Sequence, residues 1–348
     1  MNRRSLGLLA VFVVTLFASY FGFLRAIEVE LPSETDPFVL YSSQTRQDLR
    51  ETHCAAIDQA EKSITLIIFT MRDRFIIEAL NKKAEEGVDV YVVYDARAAK
   101  NLDYQLSKKV KKLKRDPEGI THQKILIVDD ELVLMGTSNM TTASLRYYDN
   151  LVTGIWSSEI ANWLNQKISQ LGPFNDGPGG HQVFDINGQH LDLWFLPTGP
   201  KGPERILQLI RTAKDSLKIA MFTWTRLDFA EEVIQAYRRG VDVQVVIDKQ
   251  SGYGASIRVI EALREAGVPL YFNKGKELLH TKTMMIDDQI LVNGSANWTK
   301  SAFTRNDDCF MVLWTLTTEQ QRFMNNFLKI IFLESNKEKN DGTIKARL

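Results

Sequence analysis

At 348 residues the chain exceeds the size at which a single hydrophobic core usually stops growing, so two domains or two fused lobes are expected. Its 43 basic and 43 acidic side chains cancel, which excludes a global field able to hold a nucleic acid or an anionic membrane; any such attraction has to be local. The 44% apolar and 25% charged residues are ordinary for a folded soluble enzyme. Cys54 and Cys309 form no C-x-x-C and read as two buried thiols, with a single bridge as the alternative in an oxidising compartment.

The N-terminus departs from that picture. Arg3 and Arg4 precede an uncharged stretch, Ser5 to Leu24, long enough at 1.5 Å per residue to span roughly 30 Å of hydrocarbon. It reads as an uncleaved signal anchor, with a cleaved signal peptide as the alternative. Arg3 and Arg4 would stay cytoplasmic, which places the rest of the chain outside, membrane-anchored or secreted; Arg25 on the far flank works against this orientation.

Beyond the anchor the same unit occurs twice. Phe38 to Tyr41 opens the first copy, an amphipathic helix follows near 47–60, and Ser63 to Thr70 reads as a strand. A helical segment leads to a second strand, Gly87 to Asp95, which suggests a parallel βαβ unit. The run Lys108 to Arg115 reads as a solvated helix face or as a binder of phosphates in lipid or nucleic acid. Breakers at Gly172-Pro173 and Gly177 to Gly180 read as a linker. Trp194 to Pro197 opens the second copy, with a helix near 203–213 and strands Ser216 to Thr223 and Gly240 to Asp248, each 153 residues after its match. A repeat this long is a duplicated domain, not a solenoid.

The chemistry sits in a motif present in both copies. His122, Lys124 and Asp129 are matched 158 residues later by His280, Lys282 and Asp287. Gly136 and Asn139 are matched by Gly294 and Asn297 at the same offset. Residues at i and i+2 of a strand share a face, so each histidine and lysine project together. Both want water or an anion, and burying them unpaired is costly. A phosphate suits both, and Asn139 and Asn297 could donate further hydrogen bonds to it. Asp129 and Asp287 complete the motif; their place on the strand suits support of the lobe interface better than chemistry. His53, His181 and His190 have no match and read as surface residues, while Trp224, Tyr253 and Trp298 read as core or as a face for choline.

The doubled His-x-Lys-x-x-x-x-Asp with a downstream Gly-x-x-Asn resembles the signature of the phospholipase D superfamily over Phe38 to Leu333. The resemblance implies an α/β fold of two homologous lobes, each a mixed sheet flanked by helices, with the motifs meeting at one interface. With the N-terminal helix, the expected division is an anchor over 1–25, a first lobe over 26–172, a linker over 173–190, a second lobe over 191–336 and a polar tail over 337–348. It implies a catalytic set of His122, His280, Lys124, Lys282, Asp129 and Asp287. Lys124, Lys282, Asn139 and Asn297 would bind the phosphate, and neither metal nor cofactor would be needed. The route is covalent: one histidine attacks phosphorus, the other protonates the leaving oxygen, and water then releases the product.

The family also places an acidic residue 28 positions after each histidine to orient its ring. That position is Asp308 in the second copy and an amide, Asn150, in the first. The expectation is that Asp308 backs His280, which carries the proton, and Asn150 backs His122, which is the nucleophile. The expected activity is phospholipase D hydrolysis of a glycerophospholipid to phosphatidate and an alcohol. The alternatives are a metal-independent endonuclease acting on nucleic acid, or a phosphatidyltransferase such as a cardiolipin synthase. Phospholipid and membrane are the expected partners, and a monomer suffices to complete one site.

Overall fold

The computed structural model describes residues 29–337, so the expected anchor over 1–25 and all but the first residue of the expected tail lie outside the described residues. Among the described residues no helix is long and apolar enough to cross a membrane. The first lobe runs β1 (Phe38–Ser42), α1 (Leu49–Asp58), β2 (Ser63–Ile68), α2 (Arg74–Glu86), β3 (Asp89–Asp95), β4 (Lys111–Arg115), β5 (Lys124–Val128), β6 (Leu132–Gly136), α3 (Thr142–Arg146), β7 (Leu151–Trp156) and α4 (Ser158–Ser169). The second runs β8 (Gly180–Ile186), β9 (Gln189–Phe195), α5 (Lys201–Thr212), β10 (Ser216–Met221), α6 (Leu227–Arg238), β11 (Asp242–Ile247), α7 (Lys249–Gly252), α8 (Ile257–Glu265), β12 (Leu270–Asn273), β13 (Lys282–Ile286), β14 (Ile290–Gly294), α9 (Lys300–Thr304), β15 (Cys309–Trp314), α10 (Thr318–Leu333) and β16 (Ser335–Lys337).

Each lobe is a mixed sheet. The first has the order β1-β7-β6-β5-β2-β3-β4, and the second β16-β12-β11-β10-β13-β14-β15-β9-β8. β2, β3 and β4 are parallel, as are β10, β11 and β12, which bears out the paired βαβ units. The motif strands join antiparallel, β5 to β2 and β13 to β10. Local chemistry sets the boundaries. Asp73 caps α2 by accepting from Phe75 N (3.1 Å), and Gly87 ends it at φ 100°, a left-handed angle that costs a glycine least.

The sheets share a core. Ile125, Ile127, Val133 and Met135 of the first lobe lie in one buried cluster with Met285, Leu291, Met311 and Leu313 of the second. Covered on both faces, β5 and β13 are buried along their whole length. That is why they read as continuous apolar runs rather than alternating ones.

Two expectations change and a third holds in the main. The lysine run is not a helix face: Lys111–Arg115 is the edge strand β4, and charged side chains protect such an edge from pairing with another chain. The stretch expected to be a linker is partly strand, since β8 and the start of β9 fall within 173–190. Both cysteines are free thiols, Cys309 buried and Cys54 half-buried.

Candidate active site

Each motif histidine sits in the residue pair just ahead of a buried strand. The backbone before it is pinned by the carboxylate at the end of β3 or just beyond β11. Asp95 accepts from Thr121 N and Asp248 from Leu279 N, both at 3.0 Å. Phe69 and Phe222, one residue beyond β2 and β10, flank the rings, with centroids 5.2 Å from His122 and 5.0 Å from His280. The same aromatic faces lie under the ammoniums of Lys124 (5.4 Å) and Lys282 (4.8 Å). Each ammonium also donates to the carbonyl of its own motif histidine.

The orienting contacts cross between the lobes. His122 Nδ1 lies 2.8 Å from Asp308 Oδ1, and His280 Nδ1 lies 3.1 Å from Asn150 Oδ1. The expected pairing within each copy is therefore exchanged: Asp308 backs His122, and Asn150 backs His280. Sequence offset locates these partners but not which ring they face, because two lobes meeting face to face bring each one's β7 or β15 start behind the other's histidine. Behind each partner is a matched hydroxyl. Ser295 Oγ donates to Asp308 and Thr137 Oγ1 to Asn150, both at 2.7 Å. Gly136 and Gly294 allow this approach, since a Cβ there would stand 2.2 and 2.4 Å from the carbonyls of Leu151 and Cys309.

These contacts define the tautomers. Asn150 Nδ2 donates to Ser144 O (2.8 Å), so its oxygen faces His280, whose Nδ1 must donate. Asp308 is an acceptor for His122 in the same way. In both rings Nε2 is left for the reaction. Burial raises the Asp308 pKa, but the charge and hydrogen bond of His122, with Lys124 and Ser295, outweigh it and hold the group an anion.

Four basic groups crowd round that carboxylate, with Asp95 and Asp248 behind the two motifs. Burial, then Lys124, lowers the pKa of His122, while Asp308 opposes the shift. His280 falls well below its ordinary value through burial, Lys282, Lys124 and His122. Burial brings Lys124 down to about 7, and burial with Lys124 takes Lys282 well below its usual range. Each motif feels the charge of the other, so the four groups form one site. Asn139 and Asn297, expected to help bind phosphate, each have a buried Oδ1 with no partner among the described residues.

Comparison with known proteins matches this arrangement to a family. A family model described as "Cardiolipin synthase, PLD-like domain" matches residues 53–171 and 206–331, one match per lobe. The chain belongs to this phospholipase D-like family. Among its relatives is a mitochondrial cardiolipin hydrolase of Chlamydomonas reinhardtii, 31% identical over 40% of this chain and 58% of that one. Another is cardiolipin synthase 2 of Staphylococcus epidermidis, 25% identical over 66% of this chain and 54% of that one. This phospholipase D-like chain thus spans little more than half the length of these curated relatives. In fold it is similar to the phosphatidylserine synthase of Haemophilus influenzae Rd KW20, with TM-score 0.70 at 15% identity over 89% of both chains.

Other residues of this phospholipase D-like chain fall outside the site. Asp129 and Asp287, grouped with the catalytic set, lie in turns instead. At φ 53° and 51° they begin the tight β5–β6 and β13–β14 hairpins. Asp129 accepts from the backbone N–H of Glu61, Lys62 and Ser63 at 2.7–2.8 Å, and Asp287 from Lys214, Asp215 and Ser216. Each ties its own lobe together, so neither bridges the interface. His53 is buried, not a surface residue, with Nδ1 2.7 Å from Leu49 O. Trp224 and Trp298 are core, packed edge to face at 4.6 Å. Phe69, Phe222, Thr137 and Ser295 were missed as site residues, although each recurs in the repeat as an identical or closely similar residue.

Proposed function

We propose that this chain is a phosphatidyltransferase that moves a phosphatidyl group between alcohols through a phosphohistidine. One observation carries the reading: two buried histidines and two buried lysines share a site in which one carboxylate, Asp308, pairs with a ring, and Asp95 and Asp248 stand behind the motifs. Such a set is costly when empty and is neutralised by a phosphodiester anion, whose charge would restore the lysines' protons. Hydrolysis uses the same groups with water as acceptor. The synthase relative supports an alcohol acceptor, and the stretch shared with the algal hydrolase supports water as a second one. The uncharged stretch Ser5 to Leu24 supports a site held beside a bilayer on its extracytoplasmic side.

His122 is the nucleophile in this scheme, for a reason the crossed contacts supply. When Nε2 attacks phosphorus the ring becomes cationic, and the Asp308 carboxylate stabilises that charge. His280, protonated once the phosphodiester anion enters the site and backed only by an amide, holds that proton less tightly and gives it to the departing alkoxide. Neutral again, it takes the proton of the incoming hydroxyl, which attacks the phosphohistidine and regenerates His122. The lysines and the asparagine amides stabilise the equatorial oxygens throughout.

The test is incubation of the detergent-solubilised chain with phosphatidylglycerol vesicles in chelator. Cardiolipin and free glycerol are expected as products, with less phosphatidate. Phosphatidate alone would replace transfer by hydrolysis. Turnover of single-stranded DNA or RNA with no lipid product would overturn the lipid reading. Mass spectrometry of the trapped phosphoenzyme should find the label on His122, and a label on His280 would reverse the two roles.

A further inference from the structure

Because the lobes are matched residue for residue, a difference between equivalent positions shows where the halves do different work. The loop leading to each orienting residue is built alike. Tyr148 N donates to Ala143 O (3.0 Å), and 158 residues further on Asn306 N donates to Ser301 O (2.9 Å). Tyr148 and Asn306 thus hold equivalent places, just ahead of Asn150 and Asp308. Their side chains do different things. Asn306 Nδ2 donates to Asp308 Oδ2 (3.4 Å), which adds a polar contact behind His122. Tyr148 instead turns a ring toward His280, with centroids 6.3 Å apart and planes tilted by 42°. Ser43 Oγ donates to the Tyr148 carbonyl (2.8 Å) and holds the backbone under that ring.

The two histidines therefore stand in different surroundings. Each has a phenylalanine beside it, Phe69 for His122 and Phe222 for His280. Beyond that, His122 meets a carboxylate reinforced by an amide, whereas His280 meets an amide and a second aromatic ring. Tyr148 is half-buried and its neighbour Tyr147 is exposed, so this ring borders the opening to solvent. The chemistry differs in the same sense. In the phosphohistidine route the departing and the incoming oxygen both meet His280, so an acceptor has to settle against what flanks that ring. An alcohol brings carbon beside its reacting hydroxyl, and that carbon gains by leaving water for an aromatic face. A water molecule has nothing to place there and loses hydrogen-bond partners beside the ring.

We propose that Tyr148 is a specificity-determining residue on the acceptor side of the site: its ring packs on the carbons of the incoming alcohol and disfavours water. The inference rests on the phosphatidyl-transfer reading and adds to it the residue that chooses the acceptor. In the second step the alcohol oxygen forms its bond to phosphorus. The bond from phosphorus to His122 Nε2 breaks, its electron pair returns to nitrogen, and the alcohol's proton passes to His280. With water as acceptor the same step yields phosphatidate. Tyr148 acts on the partition between the two.

The test is the ratio of cardiolipin to phosphatidate that the detergent-solubilised full chain makes from phosphatidylglycerol vesicles. Both products come from one phosphoenzyme, so the ratio does not depend on how much of a variant is folded. Tyr148→Ala and Tyr148→Asn, the second copying the other half, should each lower it by about tenfold. Tyr148→Phe, which keeps the ring, should hold it within about twofold of the unaltered chain. Should the alanine variant make no product, Tyr148→Leu takes its place, with a fall in the same sense. An unchanged ratio in Tyr148→Ala, even with both products falling, would reduce the ring to a structural role and overturn the inference, while transfer itself would stand. An equal fall in Tyr148→Phe would overturn it too, since the ring is intact there. Phosphatidate alone from the unaltered chain would instead end the transfer reading, and the inference with it.

Discussion

At the scale of single residues, the proposed division of labour between the histidines rests on the inequality between Asp308 and Asn150. Asp308→Asn removes the charge behind His122 and should slow phosphoenzyme formation by about 10²–10⁴-fold in single-turnover experiments. Asn150→Asp should act in the opposite sense on His280. A carboxylate 3.1 Å behind that ring raises its pKa, so the acid keeps its proton to higher pH. The alkaline limb of the pH–rate profile should move up by about one unit or more. An unmoved limb would mean that His280 is not the acid. Lys124 gives a second pH signature. With its pKa near 7, it is charged below neutrality and neutral above, so phosphate binding should weaken as pH rises through 7. The free protein should respond the other way. Between about 7 and the ordinary lysine value of 10.5 the unfolded chain binds this proton and the folded chain does not, so this group makes folding more favourable as pH rises. Thermal melts with and without phosphate across that range should diverge accordingly.

At the scale of elements, the doubled motif was readable because a His-Lys pair two residues apart on an apolar strand has no reason to recur by chance. The role of its aspartate was not. Five residues beyond the lysine, it reads in sequence as support for the lobe interface, and only the hairpin, with both turn residues at positive φ, shows that it ties down the start of β2 or β10 within its own lobe. Asp129→Ala and Asp287→Ala should each cost about 1–3 kcal/mol of stability, seen in urea melts, while leaving substrate affinity in the folded fraction unchanged. Loss of turnover without loss of stability would return them to the chemistry. The lysine run was misread for a related reason. Five lysines and an arginine lack β propensity, and only their place at a sheet edge makes an extended form suitable.

At the scale of the molecule, two lobes were legible from the matched strands, whereas the way they face each other was not. Contacts such as Arg115 to Asp307 join residues 192 apart in sequence, and no local pattern announces them. Removing one member of that fully buried pair leaves a stranded charge. Arg115→Ala should therefore cost about 3–5 kcal/mol, measurable by chemical denaturation. The exchanged histidine partners have a wider consequence. In the proposed route neither lobe would own a finished catalytic group, because each motif ring takes its tautomer from the opposite half. A slight parting of the halves would free both rings to rotate while each sheet kept its hydrogen bonds. Catalysis is then a gauge of how tightly the halves are shut. Enzymatic activity should vanish at a lower denaturant concentration than the circular dichroism of the sheets, and the gap between the two midpoints would measure how much more weakly the seam is held than the lobes themselves.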